Sequence, residues 1–442
     1  MGLATAYYLK KLSPDTSVLL VDASEPMALT SAQSGENYRN WWPHPVMTGF
    51  TDRSIDLMED LARQTDNLIN MNRRGYLLTT RSDNSDKLME ELVYGYSQLH
   101  GNDIRVHDKS AEKHKLSYRK PDSPLWESAP SGVDVINDQA LIRECFPYFD
   151  QSINTLVHIR RAGAISAQQM GQYMLQSFKQ ASGKLINADV SGIDVNNGFE
   201  IHAEQSSISI KAERIVNAAG PFIKEIATML SVELPVHNTL QQKIAFEDTA
   251  KAIPRQMPFS IDLDGQYIDW TDEERELLAE SGEHEWLTRE LPGAIHCRPE
   301  GGDKGNWLKL GWAFNDSPAE PVRTPELMDA FPEIVLRGAA RLNPNLKQYY
   351  AKLPASRHHY GGYYTLTDEN WPLIGAMETE GSFVVGAMSG FGTMAACAAG
   401  ELCAQTMMAL DLPEYASALS PARYNNDRLM AEIQALSQRG IL

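Results

Sequence analysis

The chain has 442 residues, 43% of them hydrophobic and 22% charged, with a formal net charge of −18. That composition belongs to a folded protein with room for two packed domains, and it excludes a disordered chain. The charge repels phosphate backbones and anionic lipid heads, and Arg73-Arg74 and Arg160-Arg161 stand as isolated pairs, so nucleic acid and membrane surfaces are poor partners.

Residues 1–11 pattern as an amphipathic helix that opens on Gly2, and 18–22 follow as a short apolar strand ending in Asp22. This order matches the back half of a βαβ dinucleotide fingerprint, with Gly2 as the glycine that lets the helix pack on the sheet and Asp22 as the acid that takes ribose hydroxyls. The first strand and the two phosphate-facing glycines do not appear in the sequence. Either the reading frame begins late or part of the cradle has been lost. The same order of glycine, strand and acid also occurs in α/β proteins that bind no nucleotide.

Helical spacing predicts helices over 52–72 and 85–99, and a strand over 74–80 lies between them. The stretch 100–150 is loop-rich, punctuated by Pro121, Pro124, Pro130 and Pro147. A second α/β unit follows: a helix over 167–181, a stop at Gly183, a strand over 184–195, an Asn196-Asn197-Gly198 hairpin, and a strand over 199–210. Residues 212–220 give a buried strand running into a glycine turn and another helix. Short alternating strands over 233–315 indicate an antiparallel sheet, helices resume at 325–342, and glycine-rich strands precede a helix over 394–410.

The expected fold is α/β (α+β). A Rossmann-like cofactor domain, discontinuous over 1–80, 160–230 and 360–442, would join an antiparallel-sheet substrate domain of 81–159 and 231–359. Cys145, Cys297, Cys397 and Cys403 lack C-x-x-C spacing, which argues against a metal knuckle or a disulfide framework and for a reducing, cytoplasmic setting. An organellar leader ahead of Met1 stays open. The small-residue run 386–402 is interrupted by Gly and Ser and ends beside Glu401, so no transmembrane segment is expected.

Four separated segments now carry a resemblance. They are Gly2 to Asp22; Thr30-Ser31-Ala32-Gln33-Ser34-Gly35-Glu36-Asn37; Ile215-Val216-Asn217-Ala218-Ala219-Gly220; and the pair Thr367-Asp368-Glu369-Asn370-Trp371-Pro372-Leu373-Ile374-Gly375 and Gly386-Ala387-Met388-Ser389-Gly390-Phe391-Gly392-Thr393. In this order they resemble the FAD-dependent oxidoreductases of the D-amino-acid oxidase type, nearest to the sarcosine oxidase, glycine oxidase and dimethylglycine dehydrogenase branch, over nearly the whole chain. The resemblance implies non-covalent FAD held by Gly2, Asp22, Ser31, Ala32, Ser34, Gly35, Val190, Ala219, Gly220, Ser389, Gly390, Gly392 and Thr393. Taken singly, Gly390 and Gly392 also read as a plain β-to-α turn, and Pro372 as a strand breaker.

The implied activity is oxidation of the C–N bond of a small amine or amino acid, a secondary or N-methyl amine or a D-amino acid, with electrons leaving to oxygen or another acceptor. A carboxylate on such a substrate calls for a cation in an apolar pocket. Arg39 and then Lys243 are the candidates, although each also reads as a surface charge. Aromatic runs at Tyr38-Arg39-Asn40-Trp41-Trp42 and around Tyr363, His358-His359-Tyr360-Gly361-Gly362-Tyr363-Tyr364, suit either an amine cage or ordinary packing. His44 and Cys397 lie near flavin-facing motifs without the context of a covalent attachment site. The run Asn37-Tyr38-Arg39-Asn40-Trp41-Trp42-Pro43 departs from the more aliphatic segment of sarcosine oxidases, which leaves the substrate open. The rival reading is a catalytically weak scaffold of the same fold that binds partners; flavin-assisted tRNA modification is disfavoured by the charge.

Overall fold

The computed structural model describes residues 1–99, 103–108, 118–204 and 209–437. The parts of the loop-rich stretch at 100–102 and 109–117, and of the strand expected over 199–210 at 205–208, lie outside the described residues.

The first helix, Gly2–Leu12, is buried along most of its length from Leu3 to Lys10. It can be buried because it packs backbone to backbone against a second small-residue helix, Gly392–Met407: a Cβ on Gly400 would lie 2.6 Å from the Ala4 carbonyl carbon. Helices Pro45–Gln64 and Ala167–Gln180 complete this apolar layer, with Ile55, Met58, Leu61, Met170 and Met174 turned inward at helical spacing. The Pro45–Gln64 helix starts before the expected 52 and ends before 72. At its start the His44 ring accepts the Val46 N–H at 3.1 Å and Pro45 occupies the first turn. At its end Asp66, Asn67 and Asn70 take positive φ, which closes the chain into a turn. The Ala167–Gln180 helix falls where its Ser166 cap predicts, with the hydroxyl accepting from the Gln169 N–H at 3.3 Å.

Small parallel units lie beside this layer. Leu19–Asp22 pairs in parallel with Lys184–Asn187, and Ile215–Asn217 pairs in parallel with Ser382–Gly386, which in turn pairs antiparallel with Leu373–Ala376. The strand expected over 184–195 is two strands. Its second half, Asp189–Val195, turns away into a three-stranded antiparallel sheet with Phe199–Glu204 and Ser209–Ala212, through a hairpin where Asn197 and Gly198 both have positive φ.

Among the described residues the largest sheet has nine strands. In spatial order they are His358–Leu366, His237–Glu247, Trp307–Trp312, Ile295–Glu300, Phe259–Asp262, Tyr76–Thr80, Thr155–Ile159, Val133–Ile136 and Ile104–His107. Most neighbours are antiparallel, as the alternation over 233–315 predicts, but Phe259–Asp262 runs parallel to Tyr76–Thr80 and Ile104–His107 parallel to Val133–Ile136. Side chains alternate across a strand. One face therefore sends Ile244, Phe246, Leu308, Leu310, Ile295 and Cys297 into a core closed by helix Phe331–Leu342. Each such fully buried side chain contributes about 1.5–3 kcal/mol of transfer free energy. The opposite face carries Lys243, Lys309, His296 and Arg298, and it turns toward the parallel units.

Candidate functional site

Between the small parallel units and the nine-stranded sheet lies a cavity of about 1470 Å³. Its walls come from the segments singled out by sequence. Gly2 and Asp22 line it at one end, with Ser31, Ser34 and Gly35 from the 30–35 loop, and Val190 from the Asp189–Val195 strand. Ala219, Gly220, Ser389, Gly390, Gly392 and Thr393 line it where two strands run into turns. Ala32 is exposed on the 3₁₀ turn Thr30–Gln33 and is not among the lining residues.

Local sequence explains these positions. Asp22 ends its strand and lines the cavity, and one of its carboxylate oxygens accepts the Ser24 N–H at 3.0 Å. Gly220 has φ +60°, and no atom lies within 4 Å of where a Cβ would stand, so this backbone meets open space. The N-terminus of Gly392–Met407, with no acidic residue in its first turn, presents free backbone N–H groups, a favourable seat for an anion.

The cations divide. Lys243 lines the cavity, is buried, and has its ammonium 5.4 Å from the Tyr364 ring centroid; it pairs with no carboxylate among the described residues. Arg39, at 1% exposure, is not among the lining residues; its guanidinium lies 4.6 Å from the Trp42 ring and 5.0 Å from the Tyr76 ring. Burial pulls Arg39 below its ordinary pKa. Burial raises the Tyr76 phenol to about 12, Arg39 opposing and Tyr364 adding to the shift. Tyr363 reaches the cavity wall, but its hydroxyl accepts the Val322 N–H at 3.1 Å and faces the Glu320 carbonyl at 3.4 Å.

Sequence named Tyr364 within the aromatic run 358–364, and it did not single out Lys309, Arg298 or Glu300. Tyr364 alternates with Tyr363 and so shares the face of Gly362 and Tyr360; its ring fills the space beside Gly390, where a Cβ would lie 2.6 Å from it. Lys309 binds Glu300 at 2.8 Å and donates to the Ser34 carbonyl at 3.4 Å. Arg298 binds Glu300 at 2.6 Å and stands 3.7 Å from Glu36. Burial and Arg298 lower the Lys309 pKa; burial would raise Glu300, but Arg298 and Lys309 overrule it and hold it below the usual carboxylate value. The available signal was the alternation in Trp307-Leu308-Lys309-Leu310-Gly311-Trp312, which puts Lys309 opposite two core leucines. Such a pattern ordinarily means a solvated face, and here the 30–36 loop covers it.

Residues 1–406 match the protein-family model described as FAD dependent oxidoreductase. Among solved structures, the chain is similar to L-proline dehydrogenase from P. horikoshii, with a TM-score of 0.71 and 16% identity, covering 96% of this chain and 94% of that one. It is also similar to glycine oxidase from Geobacillus kaustophilus, with a TM-score of 0.69, 14% identity and 95% of each chain covered. Iminodiacetate oxidase from Chelativorans sp. BNC1 follows with a TM-score of 0.65, 15% identity, and 95% and 96% covered. No curated protein sequence matches the chain.

The residues present fit FAD. The cavity exceeds the ~300–1,000 Å³ of ordinary small-molecule pockets, as a dinucleotide together with a substrate requires. Asp22 offers a carboxylate to hydroxyl groups, the Gly392–Met407 helix offers N–H groups to an anion, and Gly220 leaves backbone open to close approach. No histidine or cysteine is among the lining residues, and those are the side chains that would tether a flavin covalently. His44 instead caps a helix, and Cys397 lies against Met170 at 3.8 Å.

Proposed function

Starting from the fact that the chain belongs to the FAD dependent oxidoreductase family, we propose that it oxidises the C–N bond of a small amine or amino acid that carries a carboxylate. The observation that carries this reading is Lys243, a buried ammonium on the cavity wall that pairs with no acid among the described residues. A desolvated cation is costly unless an anion meets it, and an anionic substrate supplies that anion.

The names of the similar structures agree in kind: proline, glycine and iminodiacetate each join an amine to a carboxylate. When bound, FAD supplies the electron sink that accepts the hydride. The chain's own residues bind and orient. Lys243 fixes the carboxylate end of the substrate, the Tyr364 ring beside it excludes water, and Glu300 with Glu36 keeps Arg298 and Lys309 in place. The imine product then hydrolyses, with electrons passing to oxygen or another acceptor.

The test is bleaching of the FAD-loaded protein without oxygen by a panel of sarcosine, N-methyl amino acids, D-amino acids, proline and uncharged amines. Carboxylate-bearing members should bleach the flavin fastest, and acid should release the flavin from the protein. A preparation shown to hold FAD that no member bleaches would end this reading.

A further inference from the structure

Glu36 stands between the cavity-lining 30–35 loop and the strand Asn37–Arg39, and its backbone is left-handed, with φ +56°. A residue with a side chain adopts that conformation at a steric cost that glycine escapes. The glycine beside it, Gly35, does not take a positive φ, so the strained position falls on a glutamate. Such a position persists only where the surroundings hold it, and here each polar group of the residue is held. The Glu36 N–H donates to the Ser34 hydroxyl at 2.9 Å, its carbonyl accepts the Ile165 N–H at 3.0 Å, and its carboxylate Oε1 accepts the Ala167 N–H at 2.9 Å.

The two carboxylate oxygens face different parts of the fold. Oε1 sits on the first N–H of helix Ala167–Gln180, which has no acidic residue in its own first turn, so Glu36 supplies the negative charge that this helix end favours. Oε2 faces the nine-stranded sheet, with Arg298 Nη2 at 3.7 Å and Lys309 Nζ at 3.8 Å. Lys309 also donates to the Ser34 carbonyl at 3.4 Å, and both cations hold Glu300 on their own face. The Glu36 side chain is 20% exposed, so these charges meet where solvent screens them weakly. Ser34, Gly35 and Ala167 line the cavity, whereas Glu36, Arg298 and Lys309 stand behind them. The loop is thereby pinned on one side to a helix N-terminus and on the other to the sheet.

We propose that Glu36 is a positioning residue for FAD: its carboxylate joins helix Ala167–Gln180 to Arg298 and Lys309 of the sheet and so fixes the 30–35 loop in the shape that meets the cofactor. It acts through Ser34, Gly35 and Ala167 and is not itself on the cavity wall. Two demands separate this role from that of a simple turn. A turn is served best by glycine at position 36, since glycine takes the same φ without strain. A bridge needs the carboxylate, because a group with two acceptor oxygens and a negative charge meets a helix N–H on one side and two cations on the other. The role concerns the cofactor and holds for any substrate, so it goes beyond the C–N oxidation reading and does not depend on it.

The experiment follows release of FAD from the loaded full chain after dilution, by the rise of free-flavin fluorescence, together with hydrogen exchange of the backbone amides. Glu36→Gly should release FAD roughly tenfold faster than the unaltered chain, the change expected on losing a charge-assisted hydrogen bond, even though glycine relieves the backbone. Glu36→Gln keeps an acceptor for the Ala167 N–H and loses only the charge toward the sheet. It should release FAD faster than the unaltered chain and no faster than Glu36→Gly. Exchange at Ala167 should quicken in Glu36→Gly and stay slow in Glu36→Gln, while the core strand Ile295–Glu300 keeps its protection in both, a pattern that a general loss of stability would not produce. The near-isosteric Glu36→Gln is read alone if Glu36→Gly does not fold. Release from Glu36→Gly at the unaltered rate would reduce position 36 to a turn, and release from Glu36→Gln at that rate would remove the sheet from the bridge; either result overturns the proposal. So does loss of protection along Ile295–Glu300 together with Ala167.

Discussion

Ser34 and Thr393, 359 positions apart in the sequence, share a hydrogen bond of 2.7 Å between their hydroxyls. It ties the 30–35 loop to the N-terminus of helix Gly392–Met407, and both segments line the cavity. The same Ser34 hydroxyl accepts the Glu36 N–H at 2.9 Å, so one residue anchors the loop internally and across the cavity. Loss of either hydroxyl should loosen the cradle by about 0.5–1.5 kcal/mol, read as weaker FAD in a fluorescence titration of Ser34→Ala or Thr393→Val. The double variant should lose little more than the worse single one, since both remove the same bond. Full additivity would show that the two hydroxyls act separately.

Asp22 ends its strand with one oxygen engaged by Ser24 and lines the cavity. Asp22→Ala should weaken FAD by about 1–3 kcal/mol, the cost of leaving polar groups without a charged partner, with little change in thermal stability. Asp22→Asn, which keeps an acceptor, should recover part of the loss. Unchanged affinity in both would make Asp22 a strand-end solubilising residue.

The legible parts of the fold are those set by local chemistry. Ser166 announces the helix it caps, Asn197-Gly198 announces its hairpin, and Ile215–Asn217 runs into its glycine turn as an apolar strand should. Long-range pairing was out of reach. Nothing in Tyr76–Thr80 says that it will lie parallel to Phe259–Asp262, because that choice is made by packing between distant segments. The site was half legible for the same reason. Glycines and small residues mark where backbone must approach a ligand, whereas Lys309 and Arg298 resemble a solvated strand face until the 30–36 loop is seen to cover them. Tyr363 and Tyr364 differ only by the pleat, and the sequence does not say which face is which.

Arg39 and Lys243 separate two kinds of buried cation. Arg39 is wrapped by the Trp42, Tyr76 and Trp41 rings, the last at 5.9 Å, so Arg39→Ala removes packing and cation–π contacts together. We expect a stability loss of about 2–4 kcal/mol in chemical denaturation. Lys243 stands on the cavity wall, so Lys243→Met should cost little stability and raise KM steeply for carboxylate-bearing amines. The reverse pattern, with Arg39→Ala stable and altered only in KM, would return the carboxylate to Arg39.

Stability should fall as the solution is acidified below neutrality, and the cause is a set of buried histidines. Burial pushes His44 down to about 4 and His296 to about 3, and it holds His158 well below and His359 below the ordinary 6.5. Arg160 lowers His158 further, its guanidinium lying 2.6 Å from Nδ1 while Nε2 faces the Arg74 carbonyl at 2.9 Å. The sign follows from proton counting. Between about 6.5 and the depressed folded values, the unfolded chain binds more protons than the folded one, so stability rises with pH through that window and is lost as pH falls through it. Carboxylates such as Asp134, which Arg105, His107 and Arg160 hold below the usual range against the opposing effect of burial, contribute their loss only at lower pH, beneath 3.8. Urea denaturation from pH 7.5 to 4.5 should therefore show a midpoint that declines steadily below about 6.5, with a shallower decline in His296→Phe. A midpoint flat across that range would mean that these rings are protonated in the folded protein.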